Sequence, residues 1–245
     1  ENRNNVDSNF KNYLINLKNL LFIYLYQFLI SLKIVFSSFI HRLIALCHPE
    51  KSIKNQIVLI TGSGGYLGRH LALEFAKRNA ILVLWDVNED ANRQTVEQLK
   101  SQGFFKIYPF KVDLTDQKAI KSTAERIRLT LGHVSVVLMV AAASFKAKSI
   151  LDTNFEQDIE MHFKISYLSQ LWLIQEFLQP MINKNWGHFL TVSSNSALID
   201  MPLISSYASF KLAQTKLIET LREELIFNGI DGVKTTIAYP SILKG

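Results

Sequence analysis

The sequence predicts an α/β domain: a doubly wound parallel sheet in three αβα layers, preceded by an N-terminal hydrophobic membrane-anchor helix. Three observations carry this. From Gln56 onward, short β-rich runs alternate with longer amphipathic stretches. The short runs are continuously apolar rather than alternating, as strands covered on both faces must be. A glycine-rich turn joins the first run to the first amphipathic stretch. The strands are expected at IVLIT (57–61), ILVLW (81–85), KIYPF (106–110), VSVVLMV (134–140), HFLTVSS (188–194) and VKTTIAY (233–239). Helices are expected between them, near 66–78, 89–101, 116–131, 156–183 and 206–228. Six strands with helical crossovers make a Rossmann-type sheet. No internal repeat or low-complexity segment interrupts it.

At 245 residues the chain is long enough for one sizeable domain and hardly for two. Its net charge of +6 is uneven: residues 1–54 hold seven bases against three acids, and the rest is nearly balanced. The basic excess therefore points to a membrane surface and not to nucleic acid. Residues 19–40, NLLFIYLYQFLISLKIVFSSFI, are 22 residues with one charge, Lys33. As a helix they would span roughly 33 Å, the thickness of a bilayer core. Their apolar residues run all round rather than along one face. A buried core helix and a removed signal sequence are the other readings; a long polar stretch before the apolar run argues against the signal. Lysine and arginine are equal in number on the two flanks, so charge does not set an orientation. The single cysteine, Cys47, excludes an internal disulfide and reads as a lipid-facing or core thiol. The six histidines show no metal-ligand spacing, so no metal site is expected.

The turn Thr61-Gly62-Ser63-Gly64-Gly65-Tyr66-Leu67-Gly68 follows the first strand and opens a helix. Glycines there let backbone N–H groups approach a pyrophosphate, and the helix N-terminus adds a favourable dipole. Asp86 ends the second strand, 18 residues beyond Gly68. Its carboxylate can accept both adenosine-ribose hydroxyls and would repel a 2′-phosphate, which favours NAD over NADP. Asp86 could instead cap the next helix. Asp113, after the third strand, is either an adenine contact or a cap or turn residue.

Tyr207 and Lys211 stand four residues apart, on one helical face. A free tyrosine with a pKa near 10 is a poor acid–base catalyst at neutral pH. A fixed ammonium beside it stabilises the phenolate. Ser194 lies 13 residues before Tyr207 and can hydrogen-bond a substrate oxygen. Tyr-x-x-x-Lys arises readily by chance as a solvated helix pair; the Ser194 spacing, with Pro202 between, favours the catalytic reading over that one.

With these motifs in place, residues 56–245 resemble the short-chain dehydrogenase/reductase family. LALEFAKRNAILVLWDVNED, GHFLTVSS and GVKTTIAYP, with the apolar N-terminus, are similar to its membrane-bound retinol dehydrogenase/17β-hydroxysteroid dehydrogenase branch. The resemblance implies an NAD-dependent dehydrogenase of lipophilic alcohols such as retinoids or steroids. It implies residence on the endoplasmic reticulum membrane or lipid droplets, with the catalytic domain in the cytosol. It implies Ser194, Tyr207 and Lys211 as catalytic residues, with Ser166 where the family has an asparagine that holds a relay water. Gly62, Ser63, Gly65, Tyr66, Leu67, Gly68, Asp86, Asp113, Leu114, Ala141, Tyr207, Lys211 and Pro240 would hold the NAD. A homodimer would form through the long helices near 156–183 and 206–228. On this reading residues 1–54 are anchor and linker, and 55–245 are the catalytic domain, with the family's substrate loop, last strand and last helix lying beyond Gly245.

The chain also departs from the family. Met139-Val140-Ala141-Ala142 stands where relatives carry Asn-Asn-Ala-Gly, removing polar ties between strands. Tyr66 replaces the usual middle glycine, and the G-x-x-G-x-x-G spacing is that of the sugar-epimerase-like branch. Pro240-Ser241 replaces Pro-Gly. These losses leave two competitors to an active dehydrogenase: an NAD-binding, catalytically weak scaffold of the same fold, and a nucleotide-sugar epimerase.

Overall fold

The computed structural model describes residues 52–241. The expected anchor over residues 19–40, its flanking charges and Cys47 lie outside the described residues. Among those described, no helix is long and apolar enough to cross a membrane.

Six strands form one parallel sheet: β1 (Ile57–Thr61), β2 (Ile81–Asp86), β3 (Ile107–Lys111), β4 (Val134–Met139), β5 (Gly187–Val192) and β6 (Val233–Ala238). Their order is β3-β2-β1-β4-β5-β6. All six were expected, β1 at its predicted bounds and the others with an end displaced by one or two residues. The fifth ends two residues early, so that Ser194 lies beyond it. Pro109 sits in β3, an edge strand, where a missing N–H leaves no neighbour unbonded.

The continuous apolar runs have the predicted cause. Leu59, Val83, Trp85, Val137 and Phe189 face one layer, while Val58, Ile60, Leu82, Leu84 and Leu138 face the other. Helices α1 (Tyr66–Lys77) and α2 (Glu89–Ser101) cover the second face through Ala72, Ala76, Val96 and Leu99. Helices α3 (Gln117–Thr130), α4 (Ser169–Asn183) and α5 (Ser205–Phe227) cover the first through Ile120, Leu173, Phe177 and Ile218. Caps mark two starts: Asn88 Oδ1 accepts from Ala91 N at 3.0 Å to open α2, and Asp116 accepts from Lys118 N and Ala119 N to open α3. Asp86 is therefore not the α2 cap; one of its oxygens instead accepts from Asn88 N at 2.8 Å.

The long helix expected over 156–183 is interrupted. It enters as a π-helical stretch, Phe155–Glu160, passes through one α-turn, Met161–Phe163, and a second π-helical stretch, Lys164–Leu168, and only then becomes α4. Such bulges place side chains where an unbroken helix would not. The chain reverses its direction of winding between β1 and β4, so a crevice opens at the carboxyl ends of these strands.

Candidate active site

The glycine turn is fastened on every side except the one facing the crevice. Thr61 Oγ1 donates to Leu138 O at 3.3 Å and accepts from Val140 N at 3.1 Å and Ala141 N at 3.3 Å. This hydroxyl ties β1 to the end of β4 through the backbone, so the brace does not depend on the side chains at 139 and 140. Met139 packs in the core, and Val140 against the opposite layer. Ser63 Oγ donates to Asn92 Oδ1 at 2.9 Å, and Thr95 Oγ1 donates to Ser63 O at 3.0 Å. Gly64 N donates to Asp86 Oδ2 at 2.8 Å, and Arg69 Nε donates to Gly64 O at 2.8 Å.

Gly62 and Gly68 are required by space. Gly62 has φ +67°, and a Cβ there would stand 2.8 Å from Ala141 Cα. At Gly68 a Cβ would stand 2.1 Å from Gly62 O, so the helix could not press against the turn. The first turn of α1 carries neither a side-chain cap nor an acidic residue, unlike α2 with Asn88, Glu89 and Asp90. Its N–H groups are thus left for an anion. A bare helix start, a turn closed to side chains and the Asp86 carboxylate at its rim together fit a dinucleotide's pyrophosphate and adenosine ribose.

A cavity of about 710 Å³ occupies the crevice. Gly62, Gly65, Tyr66, Leu67, Gly68, Asp86, Asp113, Leu114, Ala141 and Pro240 line it, as do Ser194, Tyr207 and Lys211. Two expected residues do not. Ser63 is fully buried with its hydroxyl committed to Asn92. Ser166 is buried in the second π-helical stretch, and its neighbour Ile165 faces the cavity instead. Asp113 holds a turn as well, accepting from Thr115 N and Thr115 Oγ1 at 2.8 Å each.

Ser194 opens a short 3-10 turn, Asn195–Ala197, where its Oγ accepts from Ser196 N at 3.2 Å and donates to Asn195 Oδ1 at 3.4 Å. Tyr207 lies in the first turn of α5, its ring 4.5 Å from that of Phe145 and 6.1 Å from that of His162. One turn on, Lys211 is 3 % exposed, and its Nζ lies 5.8 Å from the Tyr207 ring centroid. Nζ donates to Val192 O at 2.9 Å and to Gln214 Oε1 at 3.2 Å. Burial, with no carboxylate among the described residues to offset it, pushes Lys211 down from 10.5 to about 8. The ammonium and the phenol can cooperate in moving a proton at the cavity wall.

Sequence reasoning missed the apolar side of the cavity, formed by Phe145, Met201 and Ile204. Phe145 follows β4 at its carboxyl end, which was a positional signal. Met201 and Ile204 are separated from Ser194 by an irregular loop whose path no periodicity reveals. Gln214 was also missed, although a polar residue one turn past Lys211 was visible.

The short chain dehydrogenase family model matches residues 56–244. Epidermal retinol dehydrogenase 2 of Mus musculus is 34% identical over 196 residues, covering 80% of this chain and 63% of that protein. Estradiol 17-beta-dehydrogenase 11 of Homo sapiens is 35% identical over 195 residues, covering 80% of this chain and 64% of that protein. The chain thus spans a little under two thirds of the length of these relatives. Among solved structures, a short chain dehydrogenase/reductase of Burkholderia phymatum in complex with NAD has a TM-score of 0.74 at 22% identity, covering 79% of this chain and 68% of its own. A metagenomic short-chain oxidoreductase in complex with NADP has a TM-score of 0.72 at 18% identity, covering 79% and 85%. These structural likenesses establish the fold.

Proposed function

The chain belongs to the short chain dehydrogenase family, and from that premise we propose a membrane-associated, NAD-dependent oxidoreductase of lipophilic alcohols and ketones, retinoid- or steroid-like. The observation that carries the reading is one cavity bounded by both the glycine turn and the Tyr207–Lys211 face of α5. The bound dinucleotide supplies the hydride acceptor, or the donor in the reverse direction. Tyr207 takes the proton from the substrate hydroxyl, Ser194 holds the substrate oxygen, and the Lys211 ammonium favours the phenolate. Phe145, Met201 and Ile204 offer an apolar wall suited to a hydrocarbon substrate. Asp86 supports NAD over NADP, because a 2′-phosphate beside a carboxylate is repelled. The names of the relatives, a retinol dehydrogenase and an estradiol dehydrogenase, support the substrate class.

Residues 1–54 serve as anchor and linker, placing the chain on the endoplasmic reticulum membrane or on lipid droplets. A homodimer is proposed through the two long helices: Phe163 stacks on Tyr167 at 5.6 Å, lies 5.9 Å from Phe210, and is itself exposed beside Met161. A monomer in sedimentation would remove the dimer.

The test of the chemistry is Tyr207→Phe. Turnover of retinol and steroid alcohols should fall at least about 100-fold, while the thermal shift given by NAD survives and exceeds that given by NADP. Unchanged turnover removes Tyr207 from the mechanism. The competing scaffold reading draws on Ser166, which is buried off the cavity. It prevails if NAD binds and the unaltered chain turns over none of these alcohols.

A further inference from the structure

Lys211 is a charge taken out of water with no ion-pair partner among the described residues. Such a group holds one position only if neutral acceptors surround it. Two do: Val192 O at the end of β5, and Gln214 Oε1 three residues along α5. Gln214 is 1 % exposed, so its amide must itself be satisfied. Its Nε2 donates to Val192 O at 3.1 Å and to Thr191 Oγ1. Thr191 Oγ1 in turn donates to Gln170 Oε1 of α4 at 2.9 Å. Gln170 and Thr191 are buried too.

This chain leaves one orientation for the Gln214 amide. A carbonyl oxygen only accepts, so the amide edge at Val192 O must be the NH2 group. The other edge, the oxygen, then faces the ammonium. Two of the three N–H groups of Lys211 are thereby taken, and the third is left for the cavity. Ser166, in contrast, does not reach the cavity wall.

We propose that Gln214 is a positioning residue for Lys211, its side-chain oxygen holding the ammonium beneath Tyr207 while Thr191 and Gln170 lock the amide. The catalytic consequence rests on the dehydrogenase reading above; the positioning does not. An apolar side chain at 214 would fill the same space and remove the acceptor. A carboxylate there would keep the acceptor and add a counter-charge. Among the described residues, the titratable groups on this side of Lys211 are Tyr207 on its own helix and His162 beyond the Tyr207 ring.

The experiment compares Gln214→Met and Gln214→Glu with the unaltered full chain in detergent. The Lys211 titration is read by NMR of 13C-labelled lysine, with Lys211→Met assigning the signal. The Lys211 midpoint should fall by about one pH unit or more in the Met variant and rise by as much in the Glu variant. Turnover should drop about tenfold to hundredfold in the Met variant, through kcat with little change in KM. In the Glu variant the alkaline limb of the pH–rate profile should move up with the midpoint. A midpoint unchanged in either folded variant overturns the proposal; should the Met variant fail to fold, the near-isosteric Glu variant decides alone. Shifted midpoints in a protein whose unaltered form turns nothing over would sustain the positioning and defeat the dehydrogenase reading. Turnover lost in Tyr207→Phe with midpoints unmoved would do the reverse.

Discussion

At Lys211 a single side chain couples stability to pH. Burial holds its folded pKa at about 8 against 10.5 when free. Below pH 8 both folded and unfolded chains carry the proton, and the folded state bears the full desolvation penalty. Between about 8 and 10.5 the folded chain releases its proton first, so the unfolded chain binds more protons and stability rises with pH. The gain across that window is on the order of 3 kcal/mol. Urea unfolding of the unaltered protein and of Lys211→Met, at pH 7.5 and at pH 10, should show the unaltered protein gaining relative to the variant. A constant difference between the two proteins would mean that the ammonium is not desolvated. On the proposed dehydrogenase function, turnover should decline through the same window, as the ammonium is lost. The Tyr207–Lys211 pair was legible in the sequence because four residues make one helical turn. The burial of Lys211 was not, because spacing says which face of a helix a residue occupies and not which strand end will cover it. Asp86 was legible as the acid ending β2. Its bonds to Gly64 N and Asn88 N depend on how the turn and α2 converge, which is set by packing.

The glycine turn is the element whose tolerance is easiest to test. Gly65 and Gly68 look alike in the sequence, yet a Cβ at Gly65 would lie 3.3 Å from Gly62 O and one at Gly68 only 2.1 Å from it. The first asks the neighbour to yield by a few tenths of an ångström. The second forces α1 away from the turn. Gly68→Ala should therefore lose about 1–3 kcal/mol of stability, as overpacked sites do, and bind NAD at least about tenfold more weakly. Gly65→Ala should be closer to the unaltered protein in stability. Denaturant melts and NAD titrations of both variants measure this, and equal behaviour would contradict the close approach at Gly68. The interrupted helix before α4 was not legible. Its apolar spacing continues across the two π-helical stretches without a proline or glycine to mark them, Pro180 lying only near the end of α4. Strand identity survived because an apolar run of five or six residues covered on both faces admits few alternatives. Strand ends moved because the last residues, such as Ser193 and Ser194, turn away into a 3-10 segment.

At the scale of the whole chain, the proposed membrane association has two candidate sources, and they predict different behaviour. Residues 1–54 carry a basic excess and the 22-residue apolar stretch 19–40. The loop between Ser194 and α5 carries exposed Leu198, Ile199, Met201 and Leu203, of which Met201 lines the cavity. Fourteen Leu, Ile, Phe and Val residues in the stretch, at about −0.3 to −0.6 kcal/mol each, outweigh Lys33 at about 2.5–3.5 kcal/mol. Insertion of this kind does not depend on salt. Attraction of the basic residues to anionic lipid does, since the screening length shrinks to about 3 Å at 1 M. The 245-residue chain should float with vesicles of zwitterionic lipid in 1 M NaCl and be released by detergent. A chain lacking residues 1–52 should stay at the bottom of the gradient. Flotation that disappears at high salt would leave only the surface charge as the attraction. Flotation that persists without residues 1–52 would transfer the membrane contact to this exposed apolar loop.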